Sequence, residues 1–443
     1  MEEWKMSENT SRRDFMKTGA VTAAGVMTAA SASRVYGANE KIRLGFVGVA
    51  NRGGQIFRAA LKSDDTEVVA LCDVDDNPIP KRMKDLEEKG RSTEVDVYKD
   101  YRKILERDDI DAVVSATPDH WHALITTHSC QAGKDVYIEK PLSMTIREGR
   151  RMIEVADETN RVVQVGTHRR SSTIYPRIRE IVQNGDIGKV VFARCYRLSN
   201  MTPNGIGNDP DSDPPPTLDW NMWLGPREYR PFNKTIHPYK FRWWKHYSSQ
   251  IGNWGVHYFD LIRWMTGEVY PSSISAHGGQ YAVKDNRTIP DTMEATFEFA
   301  SGMIVTFGQY EAAGNSAMRE GEIELRGTKG TLYANPRFYR VYPEKGGQFQ
   351  DSSPKMEPME EKVESEDMDY LHMRNFLDCV KSRKQPNAPL EEGHRSTSMS
   401  LLANIALETR SRIEWDGEKE EILSPTSAND HLHYTYREPW SLA

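Results

Sequence analysis

Cysteine is scarce in this chain. There are four in 443 residues, Cys72, Cys130, Cys195 and Cys379, and none stands in a C-x-x-C pair. That spacing excludes the usual zinc and dithiol redox motifs and indicates no disulfide framework. Cys72 and Cys195 fall within apolar, strand-like runs, where a thiol behaves as a small core hydrophobe. Positive charge is not in excess either. A net charge of −7 and a pI near 6.0 leave no electrostatic footprint for a phosphate backbone or an anionic lipid surface, so nucleic acid is not an expected partner. No run approaches the ~20 strongly apolar residues of a membrane span, so no stable membrane insertion is expected. Apolar and aromatic material is plentiful, with 38% hydrophobic residues, 10 Trp and 19 Tyr, a globular rather than disordered composition. Single cores stop growing near roughly 250–300 residues, so a chain of 443 is expected to form two domains.

The first residues read as an address. Ser11-Arg12-Arg13-Asp14-Phe15-Met16-Lys17 precedes an uncharged, mildly apolar run from Gly19 to Ser33, and Ala30-Ser31-Ala32 offers an A-x-A cleavage pattern. Residues 1–38 resemble a twin-arginine signal peptide, which hands proteins to the export machinery already folded, often with cofactor inside. An exported, periplasmic or extracytoplasmic location is expected.

The mature chain opens with Ile42 to Val49, a short apolar run of the kind that forms a buried parallel strand. It enters Gly48-Val49-Ala50-Asn51-Arg52-Gly53-Gly54, followed by Ile56, Ala59, Ala60 and Leu61 at helical spacing. Strand, glycine turn and helix together form a dinucleotide-binding pattern. Gly48 permits the turn, the small Ala50 admits a pyrophosphate, and Gly53 lets the helix approach the strand. Asn51 and Arg52 sit at the helix N-terminus, which faces the anion. A second strand, Val68 to Cys72, ends at Asp73, placed to accept hydrogen bonds from the adenosine ribose and to repel a 2′-phosphate. NAD is therefore the expected cofactor, with NADP left open by Lys81 and Arg82. Strands at 111–116, 135–138 and 161–165 alternate with helices at 119–132 and 144–158, which predicts a parallel, doubly wound sheet. Ligands bind at the carboxyl ends of such strands. Thr117-Pro118, Glu139-Lys140-Pro141 and Gly166-Thr167-His168-Arg169-Arg170 all fall there.

Lys140 is the first catalytic candidate, an ammonium at the mouth of the crevice able to stabilise developing alkoxide character. The second lies in Gly252 to Met265, read as a helix capped by Asn253 and closed at Gly267. Helical spacing places Asn253, His257, Asp260 and Trp264 on one face and Tyr258, Leu261, Ile262 and Met265 on another. His257, near the helix start, suits a general base; the alternative is a structural histidine bonded to Asp260 or a carbonyl.

Taken with the Thr117-Pro118…His122 run, these features make the chain similar to the glucose–fructose oxidoreductase and inositol dehydrogenase family, Gfo/Idh/MocA, over nearly all of residues 40–410. The resemblance implies that Lys140 positions the reacting hydroxyl and that His257 is the acid/base. It places Pro118 and His122 beside the nicotinamide and Gly48, Ala50, Gly53 and Asp73 on the adenylate half, with Thr117, Glu139 and Lys140 also counted among the cofactor contacts. One departure stands out: the family usually has Asp four residues before the histidine, and this chain has Asn253, an amide that cannot relay a proton.

After about residue 188 the pattern changes to alternating strands, including 190–198, 293–299, 304–310 and 322–326. The expected class is α/β: a Rossmann domain over 39–168 and an α+β domain over 169–443 with an open, mostly antiparallel sheet. Such sheets in the family carry substrate contacts and subunit contacts, which implies a homo-oligomer. Residues 200–250 are irregular and rich in Trp, including Trp220, Trp223, Trp243 and Trp244, which suit sugar rings or simply a core. His168, Arg169, Trp243, Asn253 and His257 are the candidate substrate contacts, with Arg170 nearby. Residues 346–366 read as an exposed insertion, followed by helices near 367–383 and 394–411. The paired His120 and His122 lack a third ligand, and no metal is expected.

The leading expectation is NAD(P)-dependent oxidation or reduction of a CH–OH group of a sugar, sugar derivative or cyclitol. Free NAD is not expected outside the cytoplasm, so a tightly bound cofactor recycled within each turnover is the alternative. That would permit redox-neutral glycoside cleavage or lyase chemistry through a keto-sugar, which is known in the family. A third possibility is a cofactor-bound sugar-binding protein without catalysis.

Overall fold

The computed structural model describes residues 40–442; the signal-like segment 1–38 lies outside them. Six strands, β1 (Ile42–Val47), β2 (Thr66–Cys72), β3 (Asp96–Tyr98), β4 (Ala112–Ser115), β5 (Asp135–Ile138) and β6 (Val163–Val165), lie parallel in the order β3-β2-β1-β4-β5-β6. Every residue of β4, β5 and β6 is buried, which is why these strands read as continuous apolar runs rather than alternating ones. Helices α1 (Asn51–Ala60), α2 (Ile79–Glu88), α3 (His122–Gln131) and α4 (Ile146–Thr159) connect them. The start of α4 is set by a reciprocal cap. Thr145 Oγ1 accepts from the Glu148 N–H at 3.2 Å, and Glu148 accepts from the Thr145 N–H at 2.9 Å. This winding brings the carboxyl ends of β1, β2, β4, β5 and β6 to one edge.

Helix α5 (Ile174–Gln183) leads into a ten-stranded sheet. Its strands are β7 (Val190–Leu198), β8 (Ser273–Gly279), β9 (Thr292–Glu298), β10 (Ile304–Tyr310), β11 (Ile323–Gly327), β12 (Gly330–Asn335), β13 (Phe338–Pro343), β14 (Met359–Lys362), β15 (Ile413–Asp416) and β16 (Glu421–Ser424). Their order is β14-β13-β12-β11-β7-β10-β9-β8-β15-β16, antiparallel except for β7 against β10. The expected class, a doubly wound parallel sheet joined to an open, mostly antiparallel one, is the class observed. Helix α6 (Val256–Thr266) lies on one face of the second sheet, where Phe259 meets Phe297 and Phe307 edge-on at ring separations of 4.9 and 5.8 Å. Helices α7 (Met368–Ser382) and α8 (Leu390–Thr409) complete the layer.

Two local expectations are corrected. Asn253 does not cap α6: residues Ile251–Gly255 form a π-helical turn ahead of it, and Asn253 lies inside that turn. Its side chain is thereby turned onto Lys140 instead of the helix's own N–H groups. Residues 346–366 are not wholly an insertion, because Met359–Lys362 pairs with Phe338–Pro343 as an edge strand.

The irregular stretch between β7 and α6 has a core of its own. Trp220 stacks on Trp223 at 4.7 Å and 14°, and Trp243, Trp244, Phe232, Phe241 and Tyr247 are buried around them. A buried Trp removes roughly 200 Å² from water, an upper limit of about 5 kcal/mol at ~25 cal/mol per Å². Aromatic burial thus holds this segment where no strand ladder does. Its base is fixed by Arg287, which donates to Asp285 at 2.8 Å and Glu311 at 2.6 Å, all three side chains being 0% exposed.

Candidate active site

Gly48 follows β1 with φ of +77°, a conformation that favours glycine, and its N–H donates to the Cys72 carbonyl at 2.8 Å. The turn is tight: a Cβ on Gly53 would lie 1.9 Å from the Gly48 oxygen. These two glycines therefore form a cradle that a side chain would fill. The turn opens onto a cleft lined by Ala50, Asn51, Arg52, Asp73, Thr117 and Pro118. Asp73 stands at the end of β2 and accepts from the Val49 and Asp75 N–H groups at 2.9 and 3.1 Å. Burial pushes its carboxyl up to about 6, against the pull of those amides, so it is ionised at neutral pH and can accept from hydroxyls. Arg82, which had left NADP open, is buried against Asp85 at 2.9 Å and lies outside the cleft wall, while Lys81 is exposed.

Arg52 ties the glycine turn to the rest of the site. Its Nε donates to Glu139 at 2.8 Å and its terminal nitrogens to Asp369 at 2.8 and 2.9 Å, linking α1, the end of β5 and the start of α7. Burial raises the Glu139 carboxyl, but Arg52 and Lys140 outweigh it and hold the group below its ordinary value. Beside it, Lys140 Nζ donates to both the backbone and side-chain oxygens of Asn253 at 2.8 Å. Burial lowers the Lys140 ammonium to about 8, with Glu139 opposing that shift. Asn253, neutral where a carboxylate would hold the ammonium charged, leaves the shift standing.

His257, at the start of α6, is 6% exposed, and its Nδ1 is buried without a hydrogen-bond partner. The His168 ring meets it edge-on at 5.3 Å. Burial first, then Arg169 and Lys140, push His257 well below its ordinary value, so it stands as a neutral imidazole. Lys140, Asn253, His257 and His168 are thus brought together.

Other expected residues are placed elsewhere. His122 is fully buried, its ring nitrogens 2.7 and 3.1 Å from the Pro141 and Thr117 carbonyls, and it bridges two loops instead of facing the cleft. Trp243 belongs to the aromatic core, its indole N–H held by Glu311 at 3.0 Å, and is not a cleft residue. Arg169 stays near the group, its charge acting on His257 and His168, but its guanidinium is paired with Glu322 at 2.9 Å, and Arg170 pairs with Asp260 at 2.7 Å in the interior. That pair accounts for Asp260, which the helical stripe had grouped with His257. Several cleft residues had no signal in the sequence, among them Tyr101, Trp121, His237 and Phe241, while Trp223, expected as a sugar platform or core residue, lines the cleft as part of the aromatic core. Each acts through partners more than a hundred positions away or through a ring packed on another ring.

Comparison with known proteins agrees with this architecture. Residues 42–167 match the NAD-binding Rossmann fold of the Gfo/Idh/MocA oxidoreductase family, and residues 175–442 match that family's C-terminal α/β domain. The chain belongs to the Gfo/Idh/MocA family. Residues 9–29 match a twin-arginine translocation signal, which addresses this Gfo/Idh/MocA protein for export to the periplasm. Among the described residues no helix is long and apolar enough to cross a membrane. A glycosyl hydrolase family 109 protein from Shewanella pealeana is 28% identical over 171 residues, covering 34% of this chain and 38% of that relative's length. Among solved structures, levoglucosan dehydrogenase in complex with NADH and levoglucosan superposes with a TM-score of 0.63 at 16% identity, covering 85% of this chain and 99% of that one. Myo-inositol 2-dehydrogenase from Lactobacillus plantarum gives 0.59 at 20%, with the same coverage. At these identities the likeness is one of fold.

The residues present fit NAD. The glycine cradle, the ionised Asp73 and a buried His237 Nδ1 that lacks a partner at the cleft wall are what a pyrophosphate and a ribose would engage.

Proposed function

We propose that the protein is an NAD-dependent enzyme acting on a CH–OH group of a sugar, sugar derivative or cyclitol, with Lys140 and His257 as its catalytic residues. The observation that carries this reading is the placement of the Lys140 ammonium, with a pKa of about 8 and set just past the carboxyl end of β5, near a neutral His257 whose buried Nδ1 lacks a hydrogen-bond partner. Two of the three Lys140 N–H groups are held by Asn253, which leaves the third for a substrate oxygen. As the carbon gives up hydride, negative charge grows on that oxygen and Lys140 stabilises it. His257 takes the hydroxyl proton and returns it in the reverse direction. Asn253 orients the ammonium without neutralising it, and His168 packs the imidazole in place. Bound NAD supplies the hydride acceptor and, in a redox-neutral cycle, the donor that restores the alcohol.

The Shewanella relatives named as glycosyl hydrolases favour a second reading at the same residues: oxidation of a ring hydroxyl to a ketone, removal of the acidified proton from the neighbouring carbon with loss of the glycosidic substituent from the carbon beyond it, addition of water across the resulting double bond and return of hydride to the ketone. The two readings separate in one assay. The mature protein is incubated with a panel of free sugars, cyclitols and aryl glycosides while absorbance at 340 nm and aglycone release are followed together. Net NADH formation supports dehydrogenation, and aglycone release without net NADH supports the redox-neutral cycle. In either case Lys140→Ala is expected to lower turnover by roughly 10²–10⁴-fold with an unchanged melting temperature. Full turnover in that variant contradicts the assignment.

A further inference from the structure

A glycine-turn domain alone grips a dinucleotide from one side and leaves the other open. In this protein the other side is covered. Between Leu218 and Arg242 the chain crosses the cleft, and Met222, Trp223, His237 and Phe241 line it opposite Asp73 and Thr117. This strap is fastened beyond β2: the Asp219 N–H donates to the Val74 carbonyl at 2.9 Å, the Asp76 N–H to the Thr217 carbonyl at 3.1 Å, and His237 Nε2 lies 3.0 Å from the Asp75 carboxylate. It is fastened again beyond β4, where the Trp223 carbonyl accepts from His120 Nε2 at 2.9 Å and from Trp121 Nε1 at 3.0 Å.

The end of the chain then locks the second fastening. Arg437 donates to the Gly225 carbonyl at 3.0 Å and to the backbone and side-chain oxygens of Asn221 at 2.9 Å each. Trp440 packs edge-on against Trp121 at 4.8 Å and stacks over Tyr101 at 6.5 Å, two residues that themselves line the cleft. The close approach depends on Gly225, where a Cβ would lie 2.2 Å from the Trp121 ring.

We infer that residues 218–242 form a second wall of the NAD site and that Arg437 and Trp440 of the C-terminal tail bolt it shut, so that the dinucleotide is retained through many turnovers instead of being exchanged at each one. The wall also recognises its ligand. With its Nε2 hydrogen on Asp75, the His237 ring presents Nδ1 as an acceptor, buried and unpartnered at the cleft surface, suited to a ribose hydroxyl or an adenine amino group. Retention fits an exported protein, which leaves the cytoplasmic NAD pool behind. The inference rests on the assignment of this cleft to NAD.

The test is exchange of bound NAD for isotopically labelled NAD in the full mature protein, compared with Arg437→Ala and Trp440→Ala, with folding checked by circular dichroism. Wild-type protein is expected to keep its NAD through desalting, and both variants to exchange it at least roughly tenfold faster, the factor that corresponds to about 1.4 kcal/mol, close to the net worth of a single lost hydrogen bond. If Trp440→Ala does not fold, Arg437→Ala alone carries the comparison, because it removes hydrogen bonds without opening a core cavity. Exchange that is equally fast in wild type and variants overturns the bolt while leaving NAD binding intact. Wild-type protein that releases no NAD on denaturation and also binds none when it is added, by calorimetry, overturns both the bolt and the assignment of the cleft beneath it.

Discussion

The two walls of the cleft are built by different physics. The wall of strand ends is made of backbone: a parallel ladder, a glycine turn held by the Gly48 N–H on Cys72, and carboxyl ends aligned by the winding of the sheet. The facing wall, residues 218–242, has almost no ladder and is made of rings, with Trp223 packed against Trp220, Tyr247 and Phe241 and anchored through its carbonyl. Backbone geometry fixes where a charged ligand sits and tolerates few changes. Packed rings decide how firmly the ligand is enclosed, and their positions rest on side-chain complementarity. The residues proposed for catalysis draw on both halves, with Lys140 just past β5 and Asn253 and His257 from the turn and helix that follow the second wall.

The contrast is broken most severely at Trp223. Truncation to Ala removes a buried ring from the centre of the strap and is expected to cost about 3–5 kcal/mol of stability, read as a lowered denaturation midpoint, with NAD lost in the same transition. An unchanged midpoint would mean that the rings are not what holds that wall. Gly53→Ala attacks the other wall. Its Cβ would lie 1.9 Å from the Gly48 carbonyl, an atom the backbone cannot move cheaply. NAD affinity by calorimetry should fall by roughly a hundredfold, about 3 kcal/mol, with a smaller loss of fold stability.

How much of this was legible in the residues follows the same division. β1, β2 and the glycine turn could be read because buried parallel strands are apolar runs and the turn chemistry is local. Lys140 and His257 could be singled out as candidates because a strand end and a helix start mark their places. Asn253 was visible as a departure, but its π-turn setting and its grip on Lys140 were not, since they depend on contact across 113 positions. The strap could not be read. His237 meets Asp75 across 162 positions and Trp121 meets the Trp223 carbonyl across 102, with no periodicity to announce either. Trp243 showed the ambiguity of an aromatic in a loop: its polar handle satisfies the buried Glu311, so it serves the core.

A subtler test falls at the junction. Lys140 is charged below its pKa of about 8 and loses its proton above it, so turnover that depends on the ammonium should decline as pH rises through about 8. His257, held well below its ordinary value, should place the acid limb below the pH 6.5 of a free imidazole. Asn253→Asp restores a carboxylate against Lys140, favours the charged form and should move the alkaline limb up by about one unit. An unmoved limb would detach that titration from Lys140. The smallest effect belongs to a position outside both walls. Lys84 pairs with Glu88 at 3.5 Å on an exposed face, and Lys84→Ala should change stability by less than about 0.5 kcal/mol and leave NAD content unaltered.

The central claim is that this cleft holds NAD and keeps it. The most direct measurement is to purify the mature protein without added nucleotide, denature it and quantify the released nucleotide by chromatography. The account predicts NAD(H) in near-stoichiometric amount and little NADP(H). An empty protein that also fails to bind added NAD would contradict it.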